Sequence, residues 1–233
     1  MGLNPFATVS DYPSMLNKIA LYTFFVSTLL LWLIYWQIPG FRQWIPPLQF
    51  KIPETDIQAP ASVVILAFAF AFISRLVKLH DRLSDLFGIR RRFDVHSVLL
   101  PMASAAGTPL SLEQQEEVSR KREELMIKVF YKYASSSPGK AQIEQHAITM
   151  ALDQWSWYWT LVESSFCVFV TALIFLSANK SGVAAWMLLV DLGILWLLQA
   201  TRSLCAGYAR DEVRQILEDP SRSSAVAGQF RAL

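Results

Sequence analysis

Residues 155–200 read WSWYWTLVESSFCVFVTALIFLSANKSGVAAWMLLVDLGILWLLQA, and this stretch decides the fold. It holds two apolar runs, 155–178 and 183–200, separated by Asn179-Lys180-Ser181-Gly182. A helix rising 1.5 Å per residue crosses a hydrocarbon core of ~30 Å in ~20 residues. Each run is about that long, and so short a connection makes the two antiparallel neighbours. Two further runs, 19–36 and 57–74, have the same character. The chain therefore reads as all-α, a polytopic membrane protein with four transmembrane helices.

Hydrophobic residues make up 53% of the 233. Soluble domains sit near ~45–50%, so the excess is modest, because a polar middle dilutes the spans. The net charge of +2 says little, but its distribution sets an orientation. With both ends inside, the loop 75–154 carries 12 Lys/Arg, the tail from Arg202 carries 5, and Lys18 precedes the first span. The outer loops hold only Arg42, Lys51 and Lys180. The positive-inside rule then places both termini and the long loop in the cytosol. The expected localisation is a bacterial inner membrane, crossed several times.

The organisation follows. Residues 1–18 form a cytosolic N-terminal segment. Residues 19–74 form a hairpin of two spans with an extracytoplasmic loop, 37–56. Residues 75–154 are a cytosolic helical insert, 155–200 a second hairpin, and 201–233 a cytosolic helix and tail. Pro39-Gly40 stops the first span, and residues 1–17 read as a loop or interfacial segment. The N-terminus lacks the basic n-region of a cleaved signal peptide. Phe6 stands where myristoylation needs Ser or Thr. Trp36, Trp44 and Trp186 are expected in an outer aromatic belt, and Trp155, Trp157, Tyr158 and Trp159 in an inner one.

Span two contains Ala67-Phe68-Ala69-Phe70-Ala71-Phe72. Period two suggests a strand, but an open strand cannot cross lipid with its backbone groups unpaired. As a helix, it puts Ala67 and Ala71 on one face, a small-xxx-small surface for close helix approach. The helical pattern runs on through Leu79, Leu83 and Leu86 to Gly88, among Arg75, Lys78 and Arg82. Ser111-x-x-Gln114 is a capping box opening a charged helix to about Tyr133, and Ser137-Pro138-Gly139 breaks it. A further helix is expected from Lys140 straight into span three, and span four continues to Pro220. Three of the four membrane helices thus extend into a small helical cytosolic domain.

Glu163 and Asp191 stand inside apolar runs, where a charge costs at least ~2.5–3.5 kcal/mol. Counted from the span ends, both lie ~12 Å deep, close enough in level to approach each other. No Lys or Arg lies in any span. Candidate partners are Ser164, Ser165, Thr171, Ser27 and Thr28. The acids serve a cation or proton path, a polar contact between copies of the chain, or interhelical hydrogen bonding. The basic residues Arg75, Lys78, Arg82, Arg90, Arg91 and Arg92 suit lipid headgroups, or a phosphate-bearing ligand such as a nucleotide or nucleic acid. His80-Asp81 and Asp94-x-His96 offer metal ligands only in principle and lack a catalytic spacing; ordinary polar roles are expected for all three histidines, His146 included. Cys167 and Cys205 fall at different depths, so no disulfide or zinc framework is expected. No P-loop or G-x-S-x-G motif is present. No cofactor and no enzymatic activity are expected.

The general plan is similar to that of small four-span membrane subunits of bacterial signalling and antiphage-defence systems. The function expected is a non-enzymatic sensor or scaffold that forms homo-oligomers in the membrane and docks a cytosolic protein. The alternative is a gated ion channel or pore-forming effector with Glu163 and Asp191 lining a cation path.

Overall fold

The computed structural model of the chain describes residues 9–45, 49–51, 58–137 and 139–233. The readings placed on residues 1–8, on positions 46–48 and 52–57 of the outer loop and the start of span two, and on Pro138 lie outside them. The described residues form two compact units. One comprises Leu16–His80 and Trp157–Gln199; the other comprises residues 9–15, Asp81–Ser156 and Ala200–Leu233.

Helix α1 (Tyr12–Gln37) starts earlier than its apolar run. The reason is a local cap. The Ser14 amide donates to Asp11 Oδ1 at 2.8 Å, and the Asp11 amide donates to Ser14 Oγ at 3.0 Å. This reciprocal pair satisfies two amides that a helix start leaves open. Residues from Tyr12 on are thus helical rather than loop. Pro39 does not merely stop α1; it opens a short helix α2 (Pro39–Trp44), the position where a missing N–H costs nothing. Arg42 folds back and donates to the carbonyls of Tyr35 and Trp36 at 2.8 and 2.9 Å, capping the end of α1. Strands β1 (Gln49–Lys51) and β2 (Gln58–Pro60) pair antiparallel, Phe50 opposite Ala59.

Helix α3 (Ala61–Val77) carries the Ala/Phe alternation and is a helix as expected. It ends sooner than the sequence suggests. Lys78 takes a left-handed conformation at φ 49°, which a helix cannot propagate. Helix α4 (Leu79–Phe87) then restarts, so span two is a bent pair, not one continuous rod. Gly88, at φ 61°, ends α4.

Helices α5 (Ile89–Phe93) and α6 (Leu100–Ala105) flank a π-helical segment, Asp94–Leu99. Gly107 closes this run: its own amide and that of Thr108 bond back to Ser104 and Ala103, the paired pattern that ends a helix on a left-handed residue. Helix α7 (Leu112–Arg120) has the predicted capping box, with both Ser111–Gln114 bonds formed. The charged helix is not continuous to Tyr133. Lys121 interrupts it at φ −92°, ψ 18° before α8 (Arg122–Leu125) and a second π segment, Met126–Tyr131.

Helix α9 (Gln145–Ser177) starts five residues after Lys140 and runs unbroken through span three. Asn179, at φ 57°, turns the chain. Helix α10 (Ser181–Leu217) follows at once. At 1.5 Å per residue these helices are ~50 and ~55 Å long, well beyond a hydrocarbon core of ~30 Å. Helix α11 (Pro220–Arg231) is capped by Asp219, which accepts from the Ser221 and Arg222 amides.

Three helices, Tyr12–Gln37, Gln145–Ser177 and Ser181–Leu217, are long and apolar enough to cross a membrane; the bent pair α3–α4 makes a fourth when counted as one span. In the first unit, Ile34, Phe175 and Ala184 form a buried cluster with Leu31, Val183 and Met187 against it. In the second, Val98, Leu99 and Met102 are buried with Val118, Val129, Ile216 and Phe230. Helix α11 contacts the second π segment and α6 there.

Candidate functional site

The two intramembrane acids do not meet. Each is held by its own partners. Glu163, on α9, is 1% exposed. Thr23 of α1 donates to Glu163 Oε2 at 2.6 Å, and Ser74 of α3 donates to the same oxygen at 2.9 Å. The other oxygen, Oε1, accepts the backbone N–H of His80 at 3.1 Å, and His80 Nδ1 lies 3.5 Å from it. One carboxylate thus joins four helices, α1, α3, α4 and its own.

The His80 amide is one of those that the first turn of α4 leaves without an internal partner. Positive partial charge gathers at such a helix start, so a carboxylate is favoured there. Lys78 prevents α3 from running on, and Glu163 holds the helix that restarts. His80, 2% exposed, also packs its ring near Trp159, 5.8 Å between centroids. The sequence reading missed Thr23, Ser74 and His80. One signal was available for Thr23 and Ser74: they stand near the start of the first apolar run and at the end of the second, the ends that antiparallel packing sets beside the first half of the third. His80 offered no such signal, because it stands beyond the end of the second apolar run, and only the break at Lys78 frees its amide for Glu163.

Asp191, on α10, is 7% exposed and accepts from Ser165 Oγ at 2.7 Å. Ser164 is buried. Ser27, Thr28 and Thr171 bond carbonyls of their own helices, Thr23, Phe24 and Cys167. Ala67 and Ala71 are 0% and 5% exposed, whereas Phe68 and Phe72 are 63% and 52% exposed and stacked on each other. The small face of α3 is therefore the packed one.

The aromatic group expected at the inner face packs against protein. Trp157 lies against Tyr22 at 4.8 Å and under Lys18 Nζ at 4.4 Å; Trp155 meets Phe93 at 4.5 Å. The outer group is exposed, Trp36, Trp44 and Trp186 at 56, 88 and 69%.

The basic residues are not gathered into one cradle. Arg75 donates twice to Asn17 Oδ1, at 3.1 and 2.8 Å. Arg91 donates twice to Ser119 Oγ, at 3.3 and 3.1 Å. Arg92 donates to the Phe87 carbonyl at 2.9 Å. Lys78 and Arg82 are exposed. Arg90 lies 3.6 Å from Asp81, and its backbone N–H donates to Ser84 Oγ at 3.2 Å.

Asp94, in the first π segment, bonds Arg122 at 3.0 Å. Burial pushes its carboxyl up to about 6, although the Arg90 and Arg122 guanidinium groups pull the other way. A metal role for Asp94 finds no support in this pairing. Glu212 is 6% exposed on α10, twelve residues beyond the apolar run, and burial pushes its carboxyl up to about 8.

The model of the YmfE protein family matches residues 11–227, so the chain belongs to that family. No curated protein and no solved structure matches it.

Proposed function

We propose that this family member is a non-catalytic membrane sensor or scaffold. It oligomerises through its spans in a bacterial inner membrane, both termini cytosolic, and docks a cytosolic protein through its polar helices. The observation that supports this reading is the continuity of α9 and α10. Each carries an apolar stretch and an amphipathic one without a break. In α10 the second stretch buries Cys205, Ala209, Val213 and Ile216 and exposes Arg210, Asp211 and Arg214, the spacing of a helix with one packed face. A shift of such a helix in the membrane moves its polar end as well. Leu112 and Ile127, 79% and 64% exposed, sit among charged neighbours and are the apolar contacts a partner would cover.

A cation path has less support. Glu163 is enclosed and both of its oxygens accept hydrogen bonds inside the chain, which favours holding helices over passing ions.

The test is extraction in mild detergent followed by mass determination and identification of bound proteins. Assemblies larger than one chain, carrying a defined cytosolic protein lost on Leu112→Asp with Ile127→Asp, are expected. A monodisperse single chain with no bound protein sinks the proposal. Cation flux in reconstituted vesicles, abolished by Glu163→Gln, would favour the channel instead.

A further inference from the structure

Helix α4 follows α3 after the single residue Lys78 and ends on two bare apolar side chains. Leu86 is 74% exposed and Phe87 57%. One side of α4 is packed: His80, Leu83 and Ser84 are buried. The other carries Arg82, Asp85 and Leu86 toward the surface. A helix in contact with water alone gains nothing from exposing Leu and Phe together at its end.

The surrounding charge is one-sided. Lys78, Arg82, Arg91 and Arg92 are exposed, against Asp85 as the exposed acid of the same stretch; Asp81 is beside Arg90 at 3.6 Å. Arg92 is also fixed in place. Its Nη2 donates to the Phe87 carbonyl, the terminal acceptor of α4, at 2.9 Å. That bond satisfies a carbonyl that α4 leaves open and sets a guanidinium beside the apolar pair.

We propose that the Leu86–Phe87 end of α4 lies in the headgroup layer of an anionic bilayer, the one α3 enters. The two apolar side chains sit below the phosphates, and the exposed cations sit among them. Reach argues for this occupant. Eight residues from Leu79 to Leu86 advance only ~12 Å, and the chain bends at Lys78 instead of continuing along α3. Charge argues for it too, because an apolar tip with Arg82 one turn before it and Arg92 on its last carbonyl has the pattern of a helix lying in an anionic interface. A soluble protein or a second copy has no comparable claim to a patch on a nine-residue helix that follows the span after one residue. The inference rests on α3 lying in the membrane and is independent of the docked partner proposed above.

The test uses the full chain in nanodiscs holding one copy each. Leu86→Cys and Phe87→Cys are spin-labelled, with Leu112→Cys as an exposed control and the parent protein, whose Cys167 and Cys205 are buried, as the labelling blank. Accessibility is read to oxygen, which concentrates in lipid, and to a nickel chelate, which stays in water. At 86 and 87 the oxygen-to-nickel ratio is expected to exceed that at 112 several-fold. The excess is expected to be larger in phosphatidylglycerol-containing discs than in phosphatidylcholine alone. Ratios equal to the control in both lipids overturn the proposal. So does protection that appears only with two copies per disc or on adding soluble protein, since the patch then belongs to a protein contact.

Discussion

Glu163 accepts the backbone N–H of His80 at 3.1 Å, and so an acid of span three caps a helix that belongs to span two. Replacing Glu163 by Leu removes the acceptor for Thr23, Ser74 and the His80 amide. The two hydroxyls can turn to carbonyls of their own helices, as Ser27 and Thr28 do. The amide has no such option. We expect Glu163→Leu to destabilise by ~2–4 kcal/mol and Glu163→Gln by roughly half of that, since an amide oxygen still accepts. Unfolding in mild detergent measures both. Equal stability of all three proteins would show that Glu163 does not cap α4.

The left-handed Lys78 gives a second test. A side chain at φ 49° pays a steric cost of roughly 1–2 kcal/mol that glycine escapes. Lys78→Gly is expected to leave stability unchanged or raise it by ~1 kcal/mol, and Lys78→Val to lower it. If Gly and Val destabilise alike, α3 and α4 are one helix in the folded protein.

Asp191 and Ser165 form a simpler pair, one bond at 2.7 Å. Polar bonds between membrane helices average ~0.6 kcal/mol, with a maximum near ~1.7. A double-mutant cycle of Asp191→Ala and Ser165→Ala is expected to return a coupling in that range. A coupling indistinguishable from zero shows that Ser165 is not the partner that holds Asp191 between the helices.

The parts of this fold that were legible in the sequence are those set by local or lipid-scale forces. Apolar length gave the spans, and Ser111 with Gln114 gave the start of α7. The break at Lys78 was not legible. No Gly or Pro marks it, and the group that holds α4 in place is contributed by Glu163, far along the chain. The acids themselves were found because charge in an apolar run is conspicuous. Their partners were not, because Thr23, Ser74 and His80 are ordinary residues until folding brings them to one carboxylate. The basic run 90–92 looked like one cluster, but successive helical side chains diverge, and Arg90, Arg91 and Arg92 find three different partners.

The capping box offers a test in the second unit. Ser111 Oγ accepts the Gln114 amide at 3.3 Å, and Gln114 Oε1 accepts the Ser111 amide at 3.1 Å. Ser111→Ala is expected to cost ~1 kcal/mol, and Ser111→Gly only a few tenths. Hydrogen exchange should show the loss first in the amides of α7. Unchanged protection there would mean the box adds nothing to packing of Val118.

Glu212 makes the stability of the second unit depend on pH. Its folded carboxyl is pushed up to about 8 by burial, against about 4.3 for an unstrained Glu. Between these values the folded chain binds more protons than the unfolded one. Stability must then fall as pH rises, by up to ~1.4 kcal/mol per pH unit for one proton. Asp94, pushed up to about 6, adds a slope of the same sign but below that pH. The window from about pH 6 to 8 lies above the Asp94 step, and the difference in slope between the parent and a Glu212 variant cancels the histidines that titrate there in the unfolded chain. Glu212→Gln, which imitates the neutral form, is expected to flatten the slope there and to be more stable than the parent at pH 8. Unfolding measured across this window decides it. A variant with the parent's slope would show that Glu212 is ionised in the folded chain.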